Sequence, residues 1–372
     1  MANPDPDAAA PVLDLDRIDY SAFGTPVPSA EVSAFRAAAE HAQKANFGRD
    51  GLRTGNRRSV VVGVLLVFGL IFGLTTWQLV SAYFSRSHIS VAMIAIPIFF
   101  AFLTLGSIVQ VSQEFADKHW DKWAQLPRFA RANGLEFRNL SIAPSYAGVI
   151  FRQGDSRTIL NRLTSTTGRY FDLGNFEYWT GAARSRRVVR WGYLALRLDR
   201  KLPNMLLIAK ENQGLGGSDL PGTFHPDQVL SLEGDFDKYF TLYCPKQYET
   251  DALYIFTPDL MALLIDEAQL FDVEIVDDWM FVVVRKPFPP ASVPTYERLF
   301  TIIRTVGAKT VSQSKNYHDD RAGASSANII APRGRRLRTN VSPVRVAIMS
   351  VVLLILLAVP VAVLILNEIN PH

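Results

Sequence analysis

The sequence predicts an α+β protein with three transmembrane helices, a hairpin plus a C-terminal span, and an antiparallel-sheet-rich cytosolic domain between spans 2 and 3. Three observations lead there. Uncharged apolar stretches occupy 59–84, 87–111 and 346–366, each longer than the roughly 18 residues a helix needs to cross hydrocarbon. Basic residues crowd one end of every stretch. Between the second and third stretches, aromatic and β-branched runs alternate with turn signals and two helical patterns, without regular βαβ alternation.

The chain has 372 residues, 48% hydrophobic and 20% charged, with a mean hydropathy of +0.10. That balance is too apolar for a plain soluble protein and too polar for a many-helix transporter, and suits a few spans plus one folded domain. Cys244 is the lone cysteine, which agrees with a reducing compartment. The first apolar stretch lies behind a polar segment, so it reads as a retained anchor and not as a cleavable signal.

Residues 1–28, rich in Pro, Ala and Asp with no apolar period, read as a disordered tail. The segment 29–58 combines an alanine-rich helix, SAEVSAFRAAAEHAQKAN, with a basic stretch; only Val32 and Phe35 give that helix an apolar face. It reads as a solvated juxtamembrane helix or a weak docking element. The first span, 59–84, ends in Trp77, Tyr83 and Phe84, boundary aromatics. Gly69 and Gly73 have the small-xxx-small spacing of close helix packing, within the hairpin or between two copies of the chain. A short link then forces an antiparallel hairpin with the second span, 87–111, which carries Pro97.

Lys44, Arg49, Arg53, Arg57 and Arg58 precede the first span, and Lys118, Lys122, Arg128 and Arg131 follow the second. Arg333, Arg335, Arg336, Arg338 and Arg345 precede the third, while the link offers only Arg86 and the tail 367–372 has no Lys or Arg. Counting basic residues near the span ends predicts a multi-pass cell-membrane protein with the N-terminus and 112–345 cytoplasmic and the C-terminus outside. No Asp, Glu, Lys or Arg lies inside a span, which argues against a pump or channel.

The segment 112–133 reads as an interfacial helix with Trp120 and Trp123 on one face and Asn133-Gly134 as its stop. The α+β domain follows at 134–313. LEFRNL, FEYWT, RVVRWGYLALRL and MLLIA read as strands of a meander, with Leu202-Pro203 ending the third. DKYFTLYC is a further strand. Thr257-Pro258-Asp259 starts a helix with a hydroxyl cap, proline at N1 and an acid at the positive dipole end. VEIV and MFVVVRK flank Asp277-Asp278, which reads as a tight hairpin. A last helix starts near Pro294 and stops near Gly307. Residues 314–345 read as a flexible basic linker to the third span, 346–366.

FARANGLEF, LEGDFDKYFTLYCP and ALYIFTPDLMALLID together resemble a family of uncharacterised bacterial membrane-anchored proteins with a cytosolic α+β domain. The resemblance covers roughly 129–284 and implies architecture, with no assigned activity or site.

The chemistry is sparse. No two histidines stand at metal-ligand spacing, and no cofactor fingerprint is present. The loop 213–222 is glycine-rich beside Lys210 but lacks GxxxxGK[ST]. Glu233, Asp235 and Asp237 alternate, which suits a solvated strand edge or a hard cation. Arg333, Arg335, Arg336 and Arg338 form a basic cluster that fixes orientation or meets anionic lipid; nucleic acid is not expected, because no aromatics interleave. Three functions compete. The first is a non-enzymatic interaction or scaffold domain with a protein partner or a second copy, held to the lipid bilayer. The second is a nucleotide or small-molecule sensor or enzyme using 211–237, with a pocket converging on Lys210, Asp235 or His225. The third is an accessory subunit of a membrane transport complex.

Overall fold

The computed structural model describes residues 12–47, 54–85, 91–116, 120–181, 187–214, 217–232, 234–322 and 328–340. The chain forms two compact units, Met1–Ala42 with Trp120–Val341, and Gln43–His119 with Ser342–His372. Helix α1, Ser29–Phe47, starts in the first unit. The second contains α2, Thr54–Phe84, and α3, Val91–Ala116, which pack on each other.

The expectation of three transmembrane helices is corrected here: among the described residues no helix is long and apolar enough to cross a membrane. In α2, Gly69, Gly73, Thr75, Thr76, Gln78 and Ser81 interrupt the apolar run. The span expected at 346–366 lies outside the described residues. The multi-pass membrane location, and the assignment of sides that depended on it, lose their support with the spans. Leu70, Trp77, Phe84 and Phe102 are exposed on these helices. A Cβ at Gly69 or Gly73 would meet nothing within 4 Å, so neither glycine marks a close helix approach among the described residues.

The first unit is α+β with an antiparallel sheet. After α4, Trp120–Trp123, and α5, Leu126–Ala132, come β1, Leu135–Ile142, β2, Asp155–Ser165, β3, Phe171–Thr180, and β4, Arg187–Ala209. Four two-residue strands follow: β5 (Gln213–Gly214), β6 (Gly217–Ser218), β7 (Thr223–Phe224) and β8 (Val229–Leu230). Then come α6, Phe236–Tyr239, β9, Phe240–Tyr243, α7, Glu249–Ile255, α8, Pro258–Leu263, and β10, Asp272–Val284. The last elements are α9, Val293–Ile302, α10, Ala308–Ser314, and β11, Thr339–Asn340. The main sheet has the order β1-β2-β3-β4-β9-β8, with β10 also paired to β4.

Both faces of the sheet are covered, which is why β3 is buried without interruption from Phe171 to Tyr178. One face holds Leu173, Leu194, Leu207 and Val282 against Phe129, Leu260, Leu299 and Phe300 of the helices. The other holds Phe176, Trp191, Tyr193 and Phe281 under Tyr146, Ile150 and Phe151.

Four local expectations change. Leu202-Pro203 does not end a strand, because β4 continues through it to Ala209. Nor does Asp277-Asp278 form a hairpin: β10 continues through both residues as one strand. Its partners jump from Leu202, opposite Asp277, to Arg197, opposite Trp279. Residues 198–201 therefore bulge opposite Asp278, and Asp277 takes up the bend with φ 51°, a left-handed conformation that aspartate tolerates. The last helix does not stop at Gly307 but passes through a π-turn, Ile303–Gly307, into α10. A Cβ at Gly307 would lie 2.9 Å from Leu196 Cδ1, so this glycine serves close helix–sheet approach. The helix at Pro258 starts where expected, yet the Thr257 hydroxyl caps nothing; it accepts from Gln313 Nε2 at 3.4 Å.

Two segments read as loose are packed where they are described. In the N-terminal segment, Phe23 is buried, stacked on Phe129 at 4.5 Å and tilted against Tyr296 at 5.1 Å. Asp19 N–H donates to Asn133 Oδ1 at 2.7 Å, and Asn133 Nδ2 returns a bond to the Asp19 carbonyl at 2.9 Å. Helix α1 docks through Phe35, which meets Trp120 at 6.3 Å and Phe137 at 6.2 Å, and through Glu31, paired with Arg128. In the segment after α10, Tyr317, Asp319 and Ile330 are buried, and β11 pairs with β7.

Candidate functional site

The second face of the sheet carries a fully buried carboxylate. Asp172 enters from β3 at the same parity as Gly174, Phe176 and Tyr178, positions that face the smaller core. On the adjacent β2, the register slips between Leu160 and Leu163, with Asn161 at φ 52°. Arg162, within that slip, reaches the carboxylate. Tyr193 comes from β4 and Tyr146 from the segment covering the face. Gly148 lets that segment lie close, since a Cβ there would sit 2.9 Å from the Phe281 ring.

Four donors converge on Asp172. Its Oδ1 accepts from Tyr193 Oη at 2.7 Å and Arg162 Nε at 3.0 Å. Its Oδ2 accepts from Tyr146 Oη at 2.5 Å and Arg162 Nη2 at 2.8 Å. The Arg162 fork is thus bidentate, the strongest geometry for this pair, and both carboxylate oxygens are satisfied. Burial and then the Asp172 charge push the Tyr146 and Tyr193 hydroxyls well above the ordinary phenol range. Burial alone would lower Arg162, but the bonds from Asp172 outweigh it and leave the guanidinium more firmly protonated. The cluster is a fixed array of donors around one acceptor.

Above it lies a groove of about 440 Å³ lined by Pro144, Tyr146, Arg162, Tyr170, Arg197 and Trp279. Tyr170 takes a hydrogen bond from Arg162 Nη2 at 3.3 Å and meets the Trp279 ring edge-on at 6.0 Å. Tyr146 meets Trp279 from another direction at 4.7 Å. Arg197 lies over the Trp279 ring at 4.9 Å and pairs with Asp278 at 2.6 Å. The bulge in β4 begins just after Arg197, so the irregularity that spoils the register borders the groove.

The residues singled out from sequence lie elsewhere. Lys210 begins a 3-10 turn after β4, Asp235 is paired with Lys238 at 2.6 Å on the surface, and Glu233 lies outside the described residues. His225, Lys246 and Arg338 all pair with Asp227, led by the Arg338 contact, and these hold its carboxyl well below the usual range. Neither of the two clefts described is lined by Lys210, His225 or Asp235. Cys244 is buried, and burial pushes its thiol up to about 12. Of the basic cluster, Arg333 Nη1 donates to Gln247 Oε1 at 3.1 Å and Arg335 Nε to the Ile330 carbonyl at 2.7 Å, while Arg336 is exposed. Among the described residues no group of three His, Cys, Asp or Glu is placed to hold a metal ion.

Sequence reasoning missed Asp172, Arg162, Tyr146 and Tyr193. One signal was present: FDLGNFEY puts an aspartate at the inward parity of an aromatic strand, where a lone charge demands partners.

Fold and site together define a mixed α+β domain with a two-sided antiparallel sheet and an aromatic, guanidinium-lined groove. No family model and no curated protein matches the chain. Among solved structures, the crystal structure of the mycobacterial trehalose monomycolate transport factor A, TtfA, is similar at 13% identity over 52% of this chain and 91% of that chain. Its TM-score is 0.32, at which the likeness carries no argument.

Proposed function

We propose that the α+β domain is a non-enzymatic interaction module, and that the groove over Asp172 takes a protein segment carrying an acidic side chain beside an aromatic or aliphatic one. The observation that carries this reading is the saturation of Asp172. Two tyrosines and a bidentate arginine occupy its oxygens, and the shifts of these donors keep their protons in place. General acid–base chemistry needs a group that exchanges a proton near neutral pH, whereas recognition needs side chains held in one geometry before the partner arrives. The cluster supplies the second property. Tyr170 and Trp279 offer aromatic surface, and Arg197 offers a half-exposed guanidinium to an incoming carboxylate.

The test places a photo-crosslinking amino acid at Tyr170 in the full chain, and identifies the adduct and the crosslinked segment by mass spectrometry. A synthetic peptide of that segment should then bind the purified chain, with affinity lost about tenfold or more in Trp279→Ala and Arg197→Glu. A peptide that binds both variants as tightly as the native chain would overturn the reading. So would a crosslink to small molecules alone.

A further inference from the structure

A second cleft, of about 360 Å³, lies in the same unit and is lined by Gln247, Tyr248, Arg321, Ala331, Pro332 and Arg333. Its construction is unusual in one residue. Gln247 adopts φ 75°, a left-handed conformation that costs a non-glycine residue energy and persists where the surroundings over-determine it. Two guanidiniums do so here. The Gln247 carbonyl accepts from Arg321 Nη2, and its side-chain oxygen accepts from Arg333 Nη1 at 3.1 Å.

The segment that brings Arg333 in is seated, not loose. Tyr248 is fully buried, with the Arg321 guanidinium 4.4 Å from its ring centroid. Gly334 lies so close that a Cβ would stand 2.5 Å from Tyr248 Cζ. The glycine within Arg333-Gly-Arg335-Arg336 is therefore a packing requirement that fixes the arginine before it. Asp319, also buried, accepts from Tyr248 Oη and from Ala331 N–H, both at 2.9 Å, and so pins the segment from its other end.

The charges are sorted by depth. Asp251 and Asp319, the acids paired with Arg321, are 10% and 0% exposed, while the guanidinium is 38% exposed. Arg333 is exposed, and its hydrogen-bond partner among the described residues is the neutral Gln247 amide. Arg321 Nη1 donates to Asp251 Oδ1 and Asp319 Oδ1 and its Nη2 to the Gln247 carbonyl, so the charged donor that the cleft presents outward is Arg333.

We infer that this cleft binds a phosphate ester, with Arg333, held in place by Gln247, as its charged donor. Planar guanidinium forks match phosphate oxygens in geometry as well as charge. Volume and chemistry suit one phosphate group with a small organic substituent, whether a soluble monoester or the headgroup of a phospholipid.

The experiment titrates the full chain with glycerol phosphate by calorimetry, and separately with phosphatidylglycerol and phosphatidylcholine vesicles by co-sedimentation. Arg333→Ala should weaken binding about tenfold or more, and Arg333→Lys should fall between the two. Arg336→Ala, an exposed arginine outside the cleft, should stay within about twofold. Selective loss in the glycerol phosphate arm assigns a soluble ligand, and selective loss only with phosphatidylglycerol vesicles assigns a headgroup. Thermal melting of each variant checks that the exposed substitution leaves the fold intact. Equal weakening by Arg333→Ala and Arg336→Ala, which diffuse charge attraction produces, overturns the inference; so does the absence of native binding in both arms at millimolar ligand.

Discussion

The side-chain amide of Asn175 pairs with both backbone polar groups of Phe288: its Nδ2 donates to the Phe288 carbonyl at 3.2 Å, and its Oδ1 accepts from the Phe288 N–H at 2.6 Å. A residue of β3 thereby holds the chain leaving β10, across the position where the Phe288 ring lies against Gly192. Asn175→Ala leaves a buried N–H and a buried carbonyl unpaired together. The expected loss is roughly 2–4 kcal/mol, read as a lower urea midpoint with an unchanged slope.

Glu274 and Asp272 make stability fall with rising pH. Burial raises both to about 7, against the N–H groups of Val149 and Ala209 that pull the other way. Their folded values exceed the ordinary 4.5 and 3.8, so between these limits the folded state holds protons that the unfolded state has released. The contribution is fully present below the ordinary values and lost as pH rises through about 7, on the order of 3 kcal/mol for each group. Urea midpoints should drop between pH 5 and pH 8, and Glu274→Gln should flatten part of that slope. An unaltered slope in the glutamine variant would show that other groups carry it.

At the Asp172 cluster, the partners are unequal in what their removal leaves behind. Asp172→Ala strands the Arg162 charge and two phenols, for a loss of about 3–5 kcal/mol. Tyr193→Phe removes one donor from an acceptor that keeps Arg162, for about 1–2 kcal/mol. A double-mutant cycle between them should give a coupling on the order of 1 kcal/mol. Strict additivity would mean that the hydrogen bond at 2.7 Å is energetically silent.

Gly334→Ala forces the chain off the Tyr248 ring. Global stability should change little, because most of the core lies elsewhere, but the local segment should open. Limited trypsin digestion reads this directly, with cleavage after Arg333, Arg335 and Arg336 faster by about tenfold or more than in the native chain.

The sequence showed the α+β character, the aromatic strands and the helix start at Pro258 through local signals: period, turn residues and proline placement. It misled where a local signal had a non-local answer. Leu202-Pro203 and Asp277-Asp278 look like ends because proline and paired aspartates interrupt strands; here the two irregularities face each other across one pair of strands, and each absorbs the other. Val12–Pro28 reads as structureless because its Pro, Ala and Asp content shows no apolar period; the partners that order Tyr20 and Phe23, namely Phe129 and Tyr296, are distant in sequence. The Asp172 cluster draws residues from 146, 162, 172 and 193, a spacing with no period to detect.

The pairing of Asp19 with Asn133 spans 114 residues. At a ribosomal rate of about 5–20 residues per second, roughly 6–23 s separate the synthesis of the two. Throughout that interval the aromatic pair Tyr20 and Phe23 leaves the exit tunnel without a surface to cover, and Tyr296 arrives later still. A segment made before its partners therefore settles after them, and the aromatic rings that later seal the domain stay uncovered while the chain grows.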